Sequence, residues 1–384
     1  MSTTTLLGDA AGELEVAFGT GATAARALAP GRCTLVGEHV DYVGGRVLAM
    51  AVDLHVAVAA RVSADGVFRL SSRGRRVQRT DPAPAGDAGD RAFATVVALR
   101  RAGVDVPPVE VGVAADLPEG AGLASSAAVI AATADALLGL TSARLSAGEF
   151  AEAVLTAERD IVGVPCGPLD PQTIVFAHPG AALLLDCAAG SRTTVTWPWS
   201  DVLVCVCDTG EQHDVGGAGY AARRRETERA LALLGVSTCQ DVGLADVEAA
   251  ALPAVEGRRA RHAVAESRRA QAAAKCLQEG DAASLGALMS ESHVSLRDLL
   301  DVSTPALEAV VGAARAVPGC HGARLVGAGF GGAAIALVER AAVARCRTAM
   351  AAAVGAGEDA TWVVQPSPGV ALLSHCIGPD AALC

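Results

Sequence analysis

The sequence predicts an α+β protein of two lobes with a cleft between them. At 384 residues the chain exceeds the usual size of a single hydrophobic core. Short apolar runs with strand character occupy both ends, and an Ala-, Arg-, Leu- and Glu-rich stretch of helical character fills 219–300. Hydrophobic residues make up 51% and charged residues 19%, so there is ample apolar surface to bury and too little charge for a disordered chain.

The elements follow in order. Between 32 and 61, apolar runs separated by Gly44-Gly45 predict strand, turn and strand. Asp81-Pro82-Ala83-Pro84-Ala85-Gly86 is a surface loop by composition, and 93–102 follows as a short helix. Val109-Glu110-Val111-Gly112-Val113 alternates as a strand and runs into Asp116-Leu117-Pro118. Residues 127–138 are helical by their alanine, leucine and isoleucine content, and 145–162 form a second helix closing at Gly163. Two strands are expected within 181–206, with Trp197-Pro198-Trp199 in a turn between them. The lobe boundary is placed here, giving units 1–200 and 201–384. Helices fill 219–300 with a break at Gly280-Asp281, and strands return at 323–326, 333–338 and 362–365 around a helix at 341–354. No solenoid-type repeat is visible.

Composition also excludes partners. The net charge of -11 repels phosphate backbones and anionic lipid headgroups, so neither nucleic acid nor membrane is an expected partner. The eleven cysteines are scattered without a disulfide spacing and are read as reduced. Cys205 and Cys207 alternate within an apolar run, which suits a buried strand better than a metal site. No HxxxH or HExxH pattern occurs. Met1-Ser2-Thr3-Thr4-Thr5 lacks the basic region and apolar core of a signal peptide, so cytoplasmic residence is expected.

Leu117-Pro118-Glu119-Gly120-Ala121-Gly122-Leu123-Ala124-Ser125-Ser126 follows a strand and opens a helix, a placement that makes an anion site. Small residues let the backbone approach a phosphate, and the first N–H groups of a helix have no internal partners and donate to anionic oxygens. The loop is neither a Walker motif nor GxGxxG. A capped flexible loop is the plain alternative.

Placed between two further motifs, this loop resembles the second motif of the GHMP kinase superfamily. Arg32-Cys33-Thr34-Leu35-Val36-Gly37-Glu38-His39-Val40-Asp41-Tyr42-Val43-Gly44-Gly45 is similar to the galactokinase signature GRxNLIGEHxDYxGG. Val326-Gly327-Ala328-Gly329-Phe330-Gly331-Gly332 is similar to the superfamily's third motif, and Val164-Pro165-Cys166-Gly167-Pro168-Leu169-Asp170 to the galactokinase segment with the catalytic aspartate. The stretches come in the family order and span most of the chain. The resemblance implies a GHMP kinase fold with an N-terminal mixed-sheet lobe, a C-terminal ferredoxin-like lobe and the active site between them.

It also implies roles. Asp170 faces the anomeric hydroxyl of a sugar as base or orienting group, with Arg32 beside it to keep the carboxylate ionised and to stabilise the moving phosphoryl group. Glu38, His39, Asp41, Gly167 and Tyr220 bind the sugar. Gly120, Gly122, Leu123, Ser125, Ser126, Gly329 and Gly331 bind ATP. Ser126 and Glu158 hold Mg²⁺, an ion satisfied by few protein oxygens plus phosphate oxygens. Tyr220 follows Asp208-Thr209-Gly210-Glu211-Gln212-His213, which resembles the family segment placing a tyrosine near the sugar. Arg223-Arg224-Arg225 reads as a solvated helix face.

The implied activity is ATP-dependent phosphorylation at C1 of galactose or of a galactose-like amino, higher-carbon or phosphorylated sugar, by a monomer or weak homodimer. The departures favour the modified sugars. Thr34 and Val43 replace asparagines, Pro171 replaces a glutamine, and Arg46 stands where an apolar or aromatic residue is usual, facing solvent or an anionic group on the sugar. A catalytically silent sugar and nucleotide sensor is the alternative class, against which the intact Ser125-Ser126-Ala127-Ala128, Asp170 and Arg32 argue. A mevalonate-like acceptor is disfavoured by the Gly37-Glu38-His39-Val40-Asp41 stretch, which suits a polyhydroxylated ring. No aromatic platform for adenine is recognisable in 90–102.

Overall fold

A computed structural model describes residues 1–21, 24–141, 143–211 and 218–370. The first half forms α1 (Thr3–Phe18), β1 (Ala25–Val36), β2 (Arg46–Val62), β3 (Phe68–Ser72), β4 (Arg75–Arg79), α2 (Asp90–Arg101), β5 (Val109–Ala115), α3 (Ser125–Thr141), α4 (Ala147–Thr156), α5 (Leu169–Phe176), β6 (Ala181–Asp186) and β7 (Ser191–Thr196). The second half forms β8 (Val202–Asp208), α6 (Ala218–Leu234), α7 (Leu244–Ala249), α8 (Ala254–Glu279), α9 (Ala282–Asp298), α10 (Pro305–Arg315), β9 (Cys320–Val326), β10 (Ala333–Glu339), α11 (Val343–Ala353) and β11 (Thr361–Val364).

β1 to β7 make one seven-stranded sheet, β4-β3-β5-β2-β6-β7 with β1 also on β2, in which β3 and β5 pair in parallel and the other pairs are antiparallel. β8 to β11 make an antiparallel four-stranded sheet in the order β11-β8-β10-β9, the ferredoxin-like arrangement. β2 is the spine. Leu48, Met50, Val52, Val56 and Val58 enter the main core, whereas Val47, Ala49 and Ala51 enter a second core beneath α6 and α8. Burial on both faces explains why β2 reads as a nearly continuous apolar run. The main core continues into the second sheet through Val204, Val206, Ile335 and Leu337. The chain changes sheets between β7 and β8, but α6 and α8, which follow that point, cover the first sheet.

The α+β class and the mixed first sheet agree with the reading above, and several elements differ in detail. α1 was not anticipated, although Ser2 caps it by accepting the Thr5 N–H and Leu6, Ala10 and Leu14 recur four residues apart on its buried side. The hairpin of β3 and β4 was missed because its Arg75-Arg76 edge is polar, as exposed edges are. Residues 181–206 hold three strands rather than two, with the tryptophan turn between the last two of them. The helix expected over 145–162 narrows to α4 and continues as one π-helical segment, Ala157–Val162, before Gly163 ends it in a left-handed conformation. The widened turn lies at a predicted metal ligand, a common use of such segments. Cys205 and Cys207 are buried on β8 as expected, and the described cysteines are all free. Among the described residues, no helix is long and apolar enough to cross a membrane.

Candidate active site

A cavity of about 630 Å³ gathers Arg32, Glu38, His39, Asp41, Asp170 and Tyr220 at one end. Gly120, Gly122, Ser125, Ser126, Glu158 and Arg91 line its middle, and β3, β4, β5 and α3 wall its other end.

One guanidinium ties the first two groups together. Arg32, on β1 and mostly buried, donates through Nε to Asp170 Oδ1 at 2.6 Å and through Nη1 to the Gly122 carbonyl. Its own backbone N–H donates to the Leu123 carbonyl at 3.0 Å. Asp170 lies in the first turn of α5, where unpaired N–H groups favour a carboxylate. Residues 168–171 thus start a helix, and Pro171 is tolerated in that first turn.

Next to this pair, Asp41 is pushed up to about 6, by burial first and then by the charge of Asp170. It accepts the Leu169 N–H at 3.5 Å. Gly167 is needed because a β-carbon there would collide with the Asp41 carboxylate. His39 has φ 59°, strained for a non-glycine residue, and its ring is held from both sides. Nε2 donates to the Ala328 carbonyl at 2.9 Å, which leaves Nδ1 to accept from the Tyr42 hydroxyl at 3.2 Å. Burial brings its pKa down to about 4, so the ring is neutral. Tyr220 leans on it with ring centroids 5.3 Å apart. Glu38 accepts the Gly327 N–H at 2.7 Å, and burial raises its pKa against the opposing charges of Arg324 and Arg32. Arg224 is not simply solvated. It donates to the Cys166 carbonyl at 3.2 Å and sits over the Tyr42 ring.

The phosphate loop is pressed against the third motif. A β-carbon on Gly122 would sit 2.5 Å from the Val326 carbonyl oxygen, so the two glycine-rich stretches pack backbone to backbone. Gly327 and Ala328 consequently line the cavity. Gly329 and Gly331, expected to bind nucleotide, instead pack against Val302 and Glu211, and Leu123 is buried in the core. Gln212 and His213 lie outside the described residues.

Ser126 lies between two charged groups. It accepts from Arg91 Nε at 2.5 Å and stands beside Glu158, whose Oε2 is buried with no hydrogen-bond partner. Burial and then Asp170 push Glu158 up to about 7. A buried carboxylate oxygen without a partner, beside a serine oxygen, is the donor set a hard divalent cation takes, so these residues fit Mg²⁺. Arg91 was not singled out from the sequence, where a lone arginine at the start of an apolar helix looks solvated.

The four departures all lie outside the cavity lining. Arg46 pairs with Asp186 at 3.2 Å, and Thr34, Val43 and Pro171 are buried. This removes the argument they made for a charged or modified sugar.

Comparison with known proteins agrees with this geometry. Residues 14–62 match the galactokinase galactose-binding signature, 91–178 the GHMP kinases N-terminal domain and 273–356 the GHMP kinases C-terminal domain. The chain is 38% identical to a galactokinase of Roseiflexus sp. (strain RS-1) over 89% of this chain and 91% of that protein. It is 36% identical to the galactokinase of Homo sapiens, covering 82% of this chain and 83% of that one. The structure of Lactococcus lactis galactokinase complexed with galactose superposes with a TM-score of 0.87 at 26% identity, covering 93% of this chain and 97% of that chain. L. major mevalonate kinase, at 21% identity and TM-score 0.63, shares the fold.

Proposed function

The chain belongs to the galactokinase family of the GHMP kinases, and from that premise we propose how its cavity carries out ATP-dependent phosphorylation of galactose at the C1 hydroxyl, giving the sugar 1-phosphate and ADP. It is a sugar 1-kinase, and relatives bearing that enzyme's name across species disfavour the silent-sensor alternative.

The observation that carries the reading is the Arg32 guanidinium held between Asp170 and the Gly122 carbonyl. It joins a carboxylate to a phosphate-binding loop, which is what in-line transfer between a hydroxyl and a γ-phosphate requires. Asp170 accepts the proton of the C1 hydroxyl as the oxygen attacks, and Arg32 offsets charge on the transferring group. Glu38 and Asp41 accept from ring hydroxyls, with Tyr220 against the sugar and Gly167 leaving room for Asp41. Neutral His39 fixes Tyr42 and the third motif rather than carrying charge.

Gly120, Gly122, Ser125 and the first N–H groups of α3 cradle the ATP phosphates, with Arg91 added to that set. Ser126 and Glu158 would hold Mg²⁺, which when bound neutralises charge on the phosphate oxygens. The enzyme acts in the cytoplasm as a monomer or weak homodimer.

The test is ADP release with galactose against a panel of amino sugars, higher-carbon sugars, sugar phosphates and mevalonate. Galactose is expected to give the highest kcat/KM. Preference for a charged sugar would overturn the acceptor assignment, and nucleotide binding without turnover on any member would revive the sensor.

A further inference from the structure

Behind the turn that presents Glu38 and His39 lies a polar cluster whose core residues, Glu266, His262 and Arg324, are fully buried and do not line the cavity. Glu266 on α8 accepts the Gly37 N–H at 2.8 Å and the Ser292 hydroxyl of α9 at 2.5 Å through Oε1, and is paired with Arg269 through Oε2. His262, one turn earlier on α8, contacts the Glu38 carbonyl at 3.1 Å through Nε2 and Ser295 at 2.9 Å through Nδ1. The carbonyl can only accept, so Nε2 carries the proton and Nδ1 receives the serine's. Arg324 on β9 donates to the Leu35 carbonyl at 3.1 Å, and its Nη2 stands 3.6 Å from Glu38 Oε1 with no hydrogen-bond partner. Glu266, His262 and Arg324 are each 0% exposed.

Such burial is expensive. Removing an ion pair from water carries a large desolvation penalty, and well-packed apolar residues would stabilise the fold as well or better. The cluster therefore calls for a reason other than stability. Its contacts supply one: they reach successive points of the turn, Leu35, Gly37, the Glu38 backbone and the Glu38 carboxylate. The turn belongs to the first sheet, whereas α8, α9 and β9 come from the second half of the chain. The turn's own backbone is strained at His39 and needs an external clamp.

We infer that Glu266, His262 and Arg324 are positioning residues that hold the Gly37-Glu38-His39 turn in register for sugar recognition and lock it to the second half of the chain. They act through Glu38 and never touch the sugar. The inference rests on the sugar-kinase reading above, so wild-type turnover of galactose is measured first; its absence would count against that reading and not against this one.

The variants are Glu266→Gln, which keeps the shape, Arg324→Met, and Arg324→Lys, which keeps the charge. Ser292→Ala serves as a mild variant should Arg324→Met fail to fold. KM for galactose is expected to rise roughly tenfold or more in Glu266→Gln and Arg324→Met, with KM for ATP within about twofold. Arg324→Lys should recover part of the loss, and Ser292→Ala should move the galactose KM in the same direction by less. In a double-mutant cycle, Glu266→Gln should add little once Glu38 is already Gln, because both act on one turn. Folded variants with unchanged galactose KM, both Michaelis constants rising in parallel, or full additivity with Glu38→Gln would each overturn the inference.

Discussion

The two ends of the cavity are built by opposite means. At the sugar end, buried Glu38 and His39 and half-buried Asp41 are polar groups whose partners come from the third motif, α5 and the cluster behind the turn. At the end assigned to the nucleotide, Leu70, Val113, Ala115 and Val129 form an aliphatic wall, and Arg73 on the hairpin turn and Arg75 at the start of β4 stand exposed. Arg73 is 59% exposed and pairs with the exposed Glu119. A buried polar group left without its hydroxyl costs far more than a lost contact with an aliphatic wall. On the proposed assignment, acceptor choice is expected to be sharp and the nucleoside to be held mainly by shape and by its phosphates.

The largest effects should come where the two ends meet. Arg32→Met removes the charge beside Asp170 and the tie to Gly122, and kcat should fall at least about a thousandfold in steady-state assays. Next come the sugar-end carboxylates. Glu38→Gln and Asp41→Asn should each raise the galactose KM by roughly 10- to 100-fold while the ATP KM changes little. An equal rise in both constants would break the division into two ends.

Glu158→Gln should raise the Mg²⁺ concentration for half-maximal activity more than about tenfold, and in the wild type that concentration should climb as pH falls through 7. The same change should stabilise the ligand-free protein. The Glu158 pKa rises from 4.5 to about 7 on folding, so its ionised form disfavours the fold above pH 7 and not below pH 4. Calorimetry should show Tm higher by about 2–4 °C at pH 8 and unchanged at pH 4. The smallest effect belongs to the exposed arginines: Arg75→Ala should change the ATP KM by no more than about fivefold and leave the galactose KM alone. A hundredfold change would mean that the nucleotide end is as specific as the sugar end.

The same contrast governs what could be read from the chain. Glu38, His39 and Asp41 sit on one tight turn, and Gly120 to Ser126 on one loop, so local spacing reveals them. Arg91, Ser72, Arg75 and Val129 come from four separate elements and are ordinary in their local settings; only packing brings them together. Glu266 and Arg324 were invisible for a different reason. A charged residue in a helix or strand is usually solvated, and nothing nearby in sequence marks these as buried. Arg46 stayed open between solvent and sugar because the motif comparison flags its identity while its direction, to Asp186, depends on pairing between β2 and β6. In the fold, both sheets were legible from the apolar runs of their central strands, whereas α1, with only a narrow Leu6-Ala10-Leu14 stripe, and the polar hairpin of β3 and β4 were not.

The central claim is that Asp170, tied by Arg32 to the phosphate loop, acts on the C1 hydroxyl of the sugar. Phosphorus NMR of the product formed from galactose and ATP, with rates taken for wild type and Asp170→Asn at equal enzyme concentration, tests it most directly. The account predicts phosphate on C1 alone and a rate lower by roughly 10²- to 10⁴-fold in the variant. Phosphate on another hydroxyl, or equal rates for the two proteins, would contradict it.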